Sequence, residues 1–460
     1  MPAAANPVAA FGYQANKQRF DPTYSGSLFL NQQYINAGFP LAFQPFGFPQ
    51  AKNFVFAYSN QANLTVEHDL GKGFDISIAY NFNGGRHLNR PINANPVHGN
   101  FLVANWRNAV AAANAQGLSP TDPNYPTNPL FVGTSVPTVF APCGAIGPSP
   151  SQFYIPAALV SFFRPSGFNP SLTAAFAPCL PLATAVLASE GLGLAANGGH
   201  CDPTTAGSCV PVPFGDMAAN YSSGSSNYHG LSVNLRKRFA GHTQFLASYT
   251  WSHAIDDSTD LQSPLSPQDS YNPAAERATS TFDQRHRFVF SGTYDTGHVG
   301  NGGLHSALLS NWNFSTIIDV ASGRPFNILT TQDTTFQFAP SEARPNAVPA
   351  GTSDTSCGGK AVASKFSPTG FLQVPCFIDG NLAGNLSRNR GLRPWTLFND
   401  LRVARTFKLG ERFSLEGIMD LFNVANRYNV ADVNPLYTVA GRATAASDPR
   451  QFQFALRLKW

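Results

Sequence analysis

The stretch Tyr228 to His253, YHGLSVNLRKRFAGHTQFLASYTWSH, constrains the fold more than any other. Leu231, Val233, Leu235 and Phe239 share one parity, and Ser232, Asn234, Arg236 and Arg238 take the other. After Ala240-Gly241-His242 the alternation restarts, with Phe245, Ala247, Tyr249 and Trp251 against Gln244, Ser248, Thr250 and Ser252. A period of two puts successive side chains on opposite faces of a strand. Two such runs around so short a glycine-containing connection predict a β-hairpin. A soluble sheet could also bury one face and wet the other. Two details favour a membrane wall. Tyr249 and Trp251 end the apolar face where an interfacial girdle would sit, and Arg and Asn stand mid-strand on the polar face, as beside a watery lumen.

The pattern repeats along the chain. Leu64 and Val66 oppose Thr65 and Glu67; after Gly71-Lys72-Gly73, Phe74, Ile76, Ile78, Tyr80 and Phe82 alternate with Asp75, Ser77, Ala79 and Asn81. Phe282 to Asp295 reads as a strand, and a Gly-rich connection leads to Trp312, Phe314, Thr316, Ile318 and Val320. Thr396 to Phe407 and Arg412 to Asn426 form a third tight hairpin, and Phe452, Phe454, Leu456, Leu458 and Trp460 end the chain. Residues 1–52 read as loop with an uncertain strand, and 53–460 as one barrel region of about nine or ten strands. Inside it, 89–225 and 327–395 are long loops, the first with a helical stretch at Phe101 to Gln116.

The joints run short, long, short, medium, medium, long, short, medium. Outer-membrane barrels alternate brief periplasmic turns with longer extracellular loops in this way. The turns at 70–73, 240–242, 296–310 and 409–411 are then expected on the periplasmic side with the chain end. The long loops are expected outside.

Composition supports a surface that meets something other than water. Charged residues are 12% of the chain, against about 25% in soluble domains, while aromatics also reach 12%. No run of about 18 apolar residues offers a transmembrane helix, and a mean hydropathy of −0.14 suits strands that are half polar. A net charge of +4 is too small for a nucleic-acid footprint. MPAAANPVAAFGYQANKQRF shows no basic segment followed by an apolar one. The expectation is therefore a chain that begins within a larger protein.

Cys143, Cys179, Cys201, Cys209, Cys357 and Cys376 all fall between strands. An even number in loops suits disulfides in an oxidising compartment. Cys201–Cys209 and Cys357–Cys376 close short loops, leaving Cys143–Cys179. Zinc is the weaker reading, since there is no C-x-x-C pair and His200 stands alone.

Asp256, Asp257 and Asp260 could hold calcium in an outer loop, but their spacing is not that of an EF-hand, and solvated loop acids are favoured. Arg285, His286 and Arg287 could meet lipopolysaccharide phosphates, with plain interfacial placement favoured. Ser252, His253 and Asp256 lie too close in sequence for a hydrolase triad, and no G-x-S-x-G elbow occurs. Glycines 297, 300, 302 and 303 read as a turn rather than a phosphate loop, because no helix is expected after them. No enzyme, metal or cofactor is expected.

FQFALRLKW, ending at Trp460, looks like the C-terminal signal read by the barrel-insertion machinery. Across 63–88, 228–257, 282–295, 309–328 and 398–430 the chain resembles the C-terminal part of TonB-dependent receptors of the Oar-like type. That resemblance implies an antiparallel transmembrane β-barrel of the cell outer membrane, with about 22 strands in the complete protein. It also implies an interior plug, outer-membrane lipid and lipopolysaccharide as neighbours, and passage of a bulky nutrient. Contact with the TonB complex would come through an N-terminal part not recognised here. The alternative is a secreted or surface β-sandwich that binds carbohydrate through exposed aromatics.

Overall fold

A computed structural model describes residues 50–51, 53–94, 96, parts of 99–125, 218–258, 267–300, 302–330, 334–335, 343–354, 359–376, 382–410 and 412–460. Among the described residues nine long strands form one sheet: β1 Tyr58–Gly71, β2 Phe74–Asn93, β3 Ala218–Ala240, β4 Thr243–Asp256 and β5 His286–Asp295. They continue as β6 Trp312–Ala321, β7 Thr396–Leu409, β8 Phe413–Phe422 and β9 Gln451–Lys459. Every strand pairs antiparallel with its successor, and the two-residue strand Ala278–Thr279 adds to β4. Among the described residues β1 pairs only with β2 and β9 only with β8, so the sheet is open there.

The turn chemistry explains the tight ends. Gly241 and His242 link β3 to β4, both with positive φ (58° and 70°). Positive φ at both central residues matches the right-handed twist of the flanking strands, and glycine tolerates it at no steric cost. Lys72 and Gly73 repeat the arrangement between β1 and β2, at 55° and 80°. The strand ends joined by the two-residue turns, by 296–311 and by 410–412 lie at one end of the sheet, and those that lead into the longer connections after Asn93, Asp256, Ala321 and Phe422 lie at the other. The alternation of joints expected from the sequence is therefore present.

Register makes the two faces continuous. Val66, Ile78, Val233, Tyr249, Phe288, Val320 and Leu397 stand opposite one another in a single row from β1 to β7. Gln244, Thr293, Ser315, Arg402, Asp420 and Gln453 form a row of the other parity from β4 to β9. A slip of one residue anywhere would send a strand's whole apolar set to the wrong side.

The apolar face is not covered. Leu64, Phe454 and Leu456 are 67%, 74% and 76% exposed, and among the described residues no second sheet lies across them. The contiguous buried core is elsewhere, among the long connections. Phe326, Ile328, Phe366, Leu372, Leu386 and Val433 pack together there, with Tyr437 and Val430 against them. Each such side chain contributes about 1.5–3 kcal/mol on burial.

Several expectations need correcting. The segment 327–395 is not plain loop: Asn346–Val348, Val362–Ala363 and Phe371–Gln373 form a three-stranded sheet of their own. The strand expected from Phe282 starts only at His286, because Asp283 accepts the Ala254 amide and holds the chain off the ladder. A helix does follow the glycines at 297–303: Gly303–Leu309, here α1. Its seven residues are too few to show a helical period in the sequence. The described residues between 99 and 115 are helical, as expected, and among the described residues no helix is long and apolar enough to cross a membrane.

Candidate functional site: the polar face and the loop-end latch

The polar face is lined by crossed ion pairs between neighbouring strands. Arg238 donates to Asp75 at 2.7 and 3.0 Å, Arg287 to Asp319 at 2.7 and 3.3 Å, and Arg402 to Asp420 at 2.6 and 2.8 Å. Glu416 takes Arg457 at 3.4 Å and Lys459 at 3.2 Å. Neutral pairs fill the spaces between them: Ser248 donates to Asn234 at 2.6 Å, and Thr293 meets Ser315 at 3.1 Å. Alternation alone puts all of these on one side, since each lies an even number of residues from its strand's other polar groups. Charges of both signs in exposed pairs suit a surface facing water.

At the loop end the polar groups are buried. Glu276 (3% exposed) accepts a bidentate pair from Arg344 (2% exposed) at 2.7 and 2.8 Å. Arg344 Nε also donates to the Leu386 carbonyl at 2.9 Å, and its backbone amide donates to Gln268 at 2.6 Å. Arg388 closes on the Asp256 carboxylate, on its carbonyl at 2.7 Å, and on the Glu276 carbonyl at 2.8 Å. Arg90, near the end of β2, donates to the Pro273 carbonyl at 2.7 Å. Asp257 accepts the Ser225 amide and hydroxyl, and Arg277 lies 3.2 Å away. Strand ends, the 257–285 connection and the 322–395 connection are thereby tied at one point. Buried charges of this kind hold only when they are well paired, and Asp256, Glu276, Arg344 and Arg388 leave no fully buried side-chain atom without a hydrogen-bond partner.

The residues singled out from sequence divide accordingly. Asp256 and Asp257 are not the solvated loop acids expected: Arg388 and Arg277 cover them, and among the described residues there is no group of three or more acids, cysteines or histidines that could hold a metal. Asp260 lies outside the described residues. Ser252 and His253 point to opposite faces, and the Ser252 hydroxyl donates to the Gln284 carbonyl at 2.8 Å. Arg285 pairs with Asp283, His286 with Tyr249 at 2.8 Å, and Arg287 with Asp319. Cys376 is buried and disulfide-bonded, while Cys143, Cys179, Cys201, Cys209 and Cys357 lie outside the described residues. Phe452, Phe454, Leu456 and Leu458 share the apolar face of β9, with Trp460 exposed just beyond it. Sequence reasoning missed Glu276, Arg344 and Arg388. The partners of the two arginines are 42 to 132 positions away, and no local spacing announces them.

An antiparallel sheet with one uncovered apolar face, one paired-charge face and alternating short and long joints defines a transmembrane β-barrel wall of the outer membrane, present here as an open part of a barrel. Residues 164–453 match the outer membrane beta barrel domain family, and the chain belongs to that family. The match is to a membrane barrel rather than to an enzyme family. No curated protein matches the chain in sequence. Among solved structures it is similar to the outer membrane transporter YddB from Escherichia coli, at 7% identity and a TM-score of 0.37, covering 91% of this chain and 34% of the transporter. It is also similar to P. aeruginosa FpvA bound to a heterologous pyoverdine with iron, at 9% identity and a TM-score of 0.35, covering 90% and 28%. The chain thus spans about a third or less of the length of those proteins.

Proposed function

We propose that the chain forms part of the wall and outer cap of a TonB-dependent receptor of the Oar-like type, serving the uptake or passage of a bulky nutrient. The carrying observation is the pair of register rows. Val66 to Leu397 faces hydrocarbon, and Gln244 to Gln453 faces a hydrated lumen. Short turns then lie in the periplasm and the long connections outside, where the latch holds them over the mouth. Substrate would meet the cap first and the paired arginines of the lumen next. Coupling to the TonB complex would pass through a plug-bearing part of the receptor, and strand β9 with Trp460 would serve the barrel-insertion machinery. Cys357 is the proposed partner of Cys376, since the pair closes a local loop.

Extraction from outer-membrane fractions only by detergent, with heat-modifiable gel mobility, is the expected result. Epitopes inserted at 241–242 and at 350–352 should be reached from opposite sides of intact cells. Recovery as a detergent-free soluble monomer that binds glycans would replace this reading with the carbohydrate-binding sandwich.

A further inference from the structure

The lipid-facing parity is apolar with few exceptions, and Arg405 on β7 is the one that stands over a notch. Its guanidinium lies 5.0 Å from the Trp312 ring centre and 4.8 Å from that of Phe407. It donates one hydrogen bond to the Ala307 carbonyl of α1. Among the described residues no carboxylate pairs with it, whereas Arg402, of the opposite parity, is held by Asp420. A guanidinium carries five N–H donors in a rigid fork that matches phosphate, so most of this one's donors are free.

Beside it the wall is hollow. Arg405 stands opposite Gly417 of β8, and Gly417 stands opposite Leu456 of β9. A Cβ at Gly417 would find nothing nearer than Leu456 Cδ2 at 3.9 Å. Val403, Phe407, Met419, Phe454 and Leu456 wall the groove this leaves. Next to it α1 turns Leu304 and Leu308 outward, 76% and 55% exposed, and the Trp312 indole N–H is tied to the Leu308 carbonyl at 2.7 Å. Arg405 is four residues from Leu409 at the turn end, about 13 Å along the strand. On the membrane reading above, that distance puts Arg405 towards the headgroup boundary on the side of the short turns.

We propose that this notch holds one glycerophospholipid of the leaflet next to the short turns, with its phosphate on Arg405 and one acyl chain along Gly417. The inference rests on the membrane reading above. The position of Arg405 near the short turns selects glycerophospholipid rather than lipopolysaccharide, and the charge match selects a phosphate headgroup. Cation–π contact with Trp312 and Phe407 holds the guanidinium beside the groove.

The test uses the full 460-residue chain in detergent, first scored for heat-modifiable mobility and then for lipid retained in native mass spectrometry. Phosphatidylglycerol, diacylglycerol with the same chains, and lipopolysaccharide are the three probes. Phosphatidylglycerol should be retained in preference to both others. Arg405→Gln should lower its retention about tenfold, the scale of a hydrogen bond to a charged group, and leave diacylglycerol unchanged. Gly417→Leu, whose Cβ meets nothing nearer than 3.9 Å and whose remaining atoms enter the groove, should lower both. Equal retention in wild type and both variants, or a preference for lipopolysaccharide, overturns the proposal while the membrane reading stands. Absence of heat-modifiable mobility in the wild type overturns the membrane reading, and the notch with it.

Discussion

Arg388 reaches 132 positions back along the chain to close on both the carboxylate and the carbonyl of Asp256. The contact joins the long 322–395 connection to the loop end of β4. It turns what the sequence shows as polar loop into a cap with fixed geometry. Removing one partner leaves the other charged and buried, which costs about 3–5 kcal/mol. Arg388→Ala and Asp256→Ala should each release the 322–395 segment to protease while the sheet stays intact. Wild-type protease resistance in both variants would show that the pair does not hold the cap.

Burial, not ion pairing as such, should set the energetic ranking. A double-mutant cycle on Arg344 and Glu276 is expected to give a coupling of several kcal/mol, since both are buried and joined bidentately. The same cycle on Arg402 and Asp420, where the arginine is half exposed, is expected to give no more than about 1 kcal/mol. Denaturant unfolding of the folded chain measures both. Similar values would mean that the loop end is as wet as the lumen.

The cap core should behave like that of a small soluble domain. Ile328 is fully buried among Phe326, Phe366 and Leu372, so Ile328→Ala is expected to cost about 2–5 kcal/mol. Limited proteolysis within the cap reads this directly, and an unchanged cleavage rate would count against a packed cap.

The two faces of β3 should respond oppositely to charge. Val233→Arg puts a cation on the hydrocarbon side and is expected to cost about 2–4 kcal/mol near the bilayer middle. Asn234→Arg, one residue on, points to the lumen beside Ser248 and should be tolerated. Folding yield into lipid bilayers compares them, and equal losses would contradict the assignment of faces.

The wall was legible because the medium writes a two-residue period into every crossing strand. Phe454 and Leu456 against Gln453 and Arg457 need no long-range information, and glycines such as Gly241 mark where the chain turns. The cap was not legible. Phe326, Phe366 and Val433 sit about 40 and 67 positions apart with no shared period and meet only in three dimensions. Asp256 and Asp257 looked solvated for the same reason, since Arg388 and Arg277 come to them from other segments. Helix α1, at seven residues among glycines, is shorter than any pattern that would reveal it.

The most direct measurement places a nitroxide at position 233 and, in a second sample, at 234, with the chain in a lipid bilayer, and compares collision with oxygen and with a water-soluble nickel complex. The account expects oxygen to dominate at 233 and nickel at 234, the alternation continuing along β3 to 235 and 236. Nickel dominating at both, or oxygen at both, would contradict a wall with hydrocarbon on one side and water on the other.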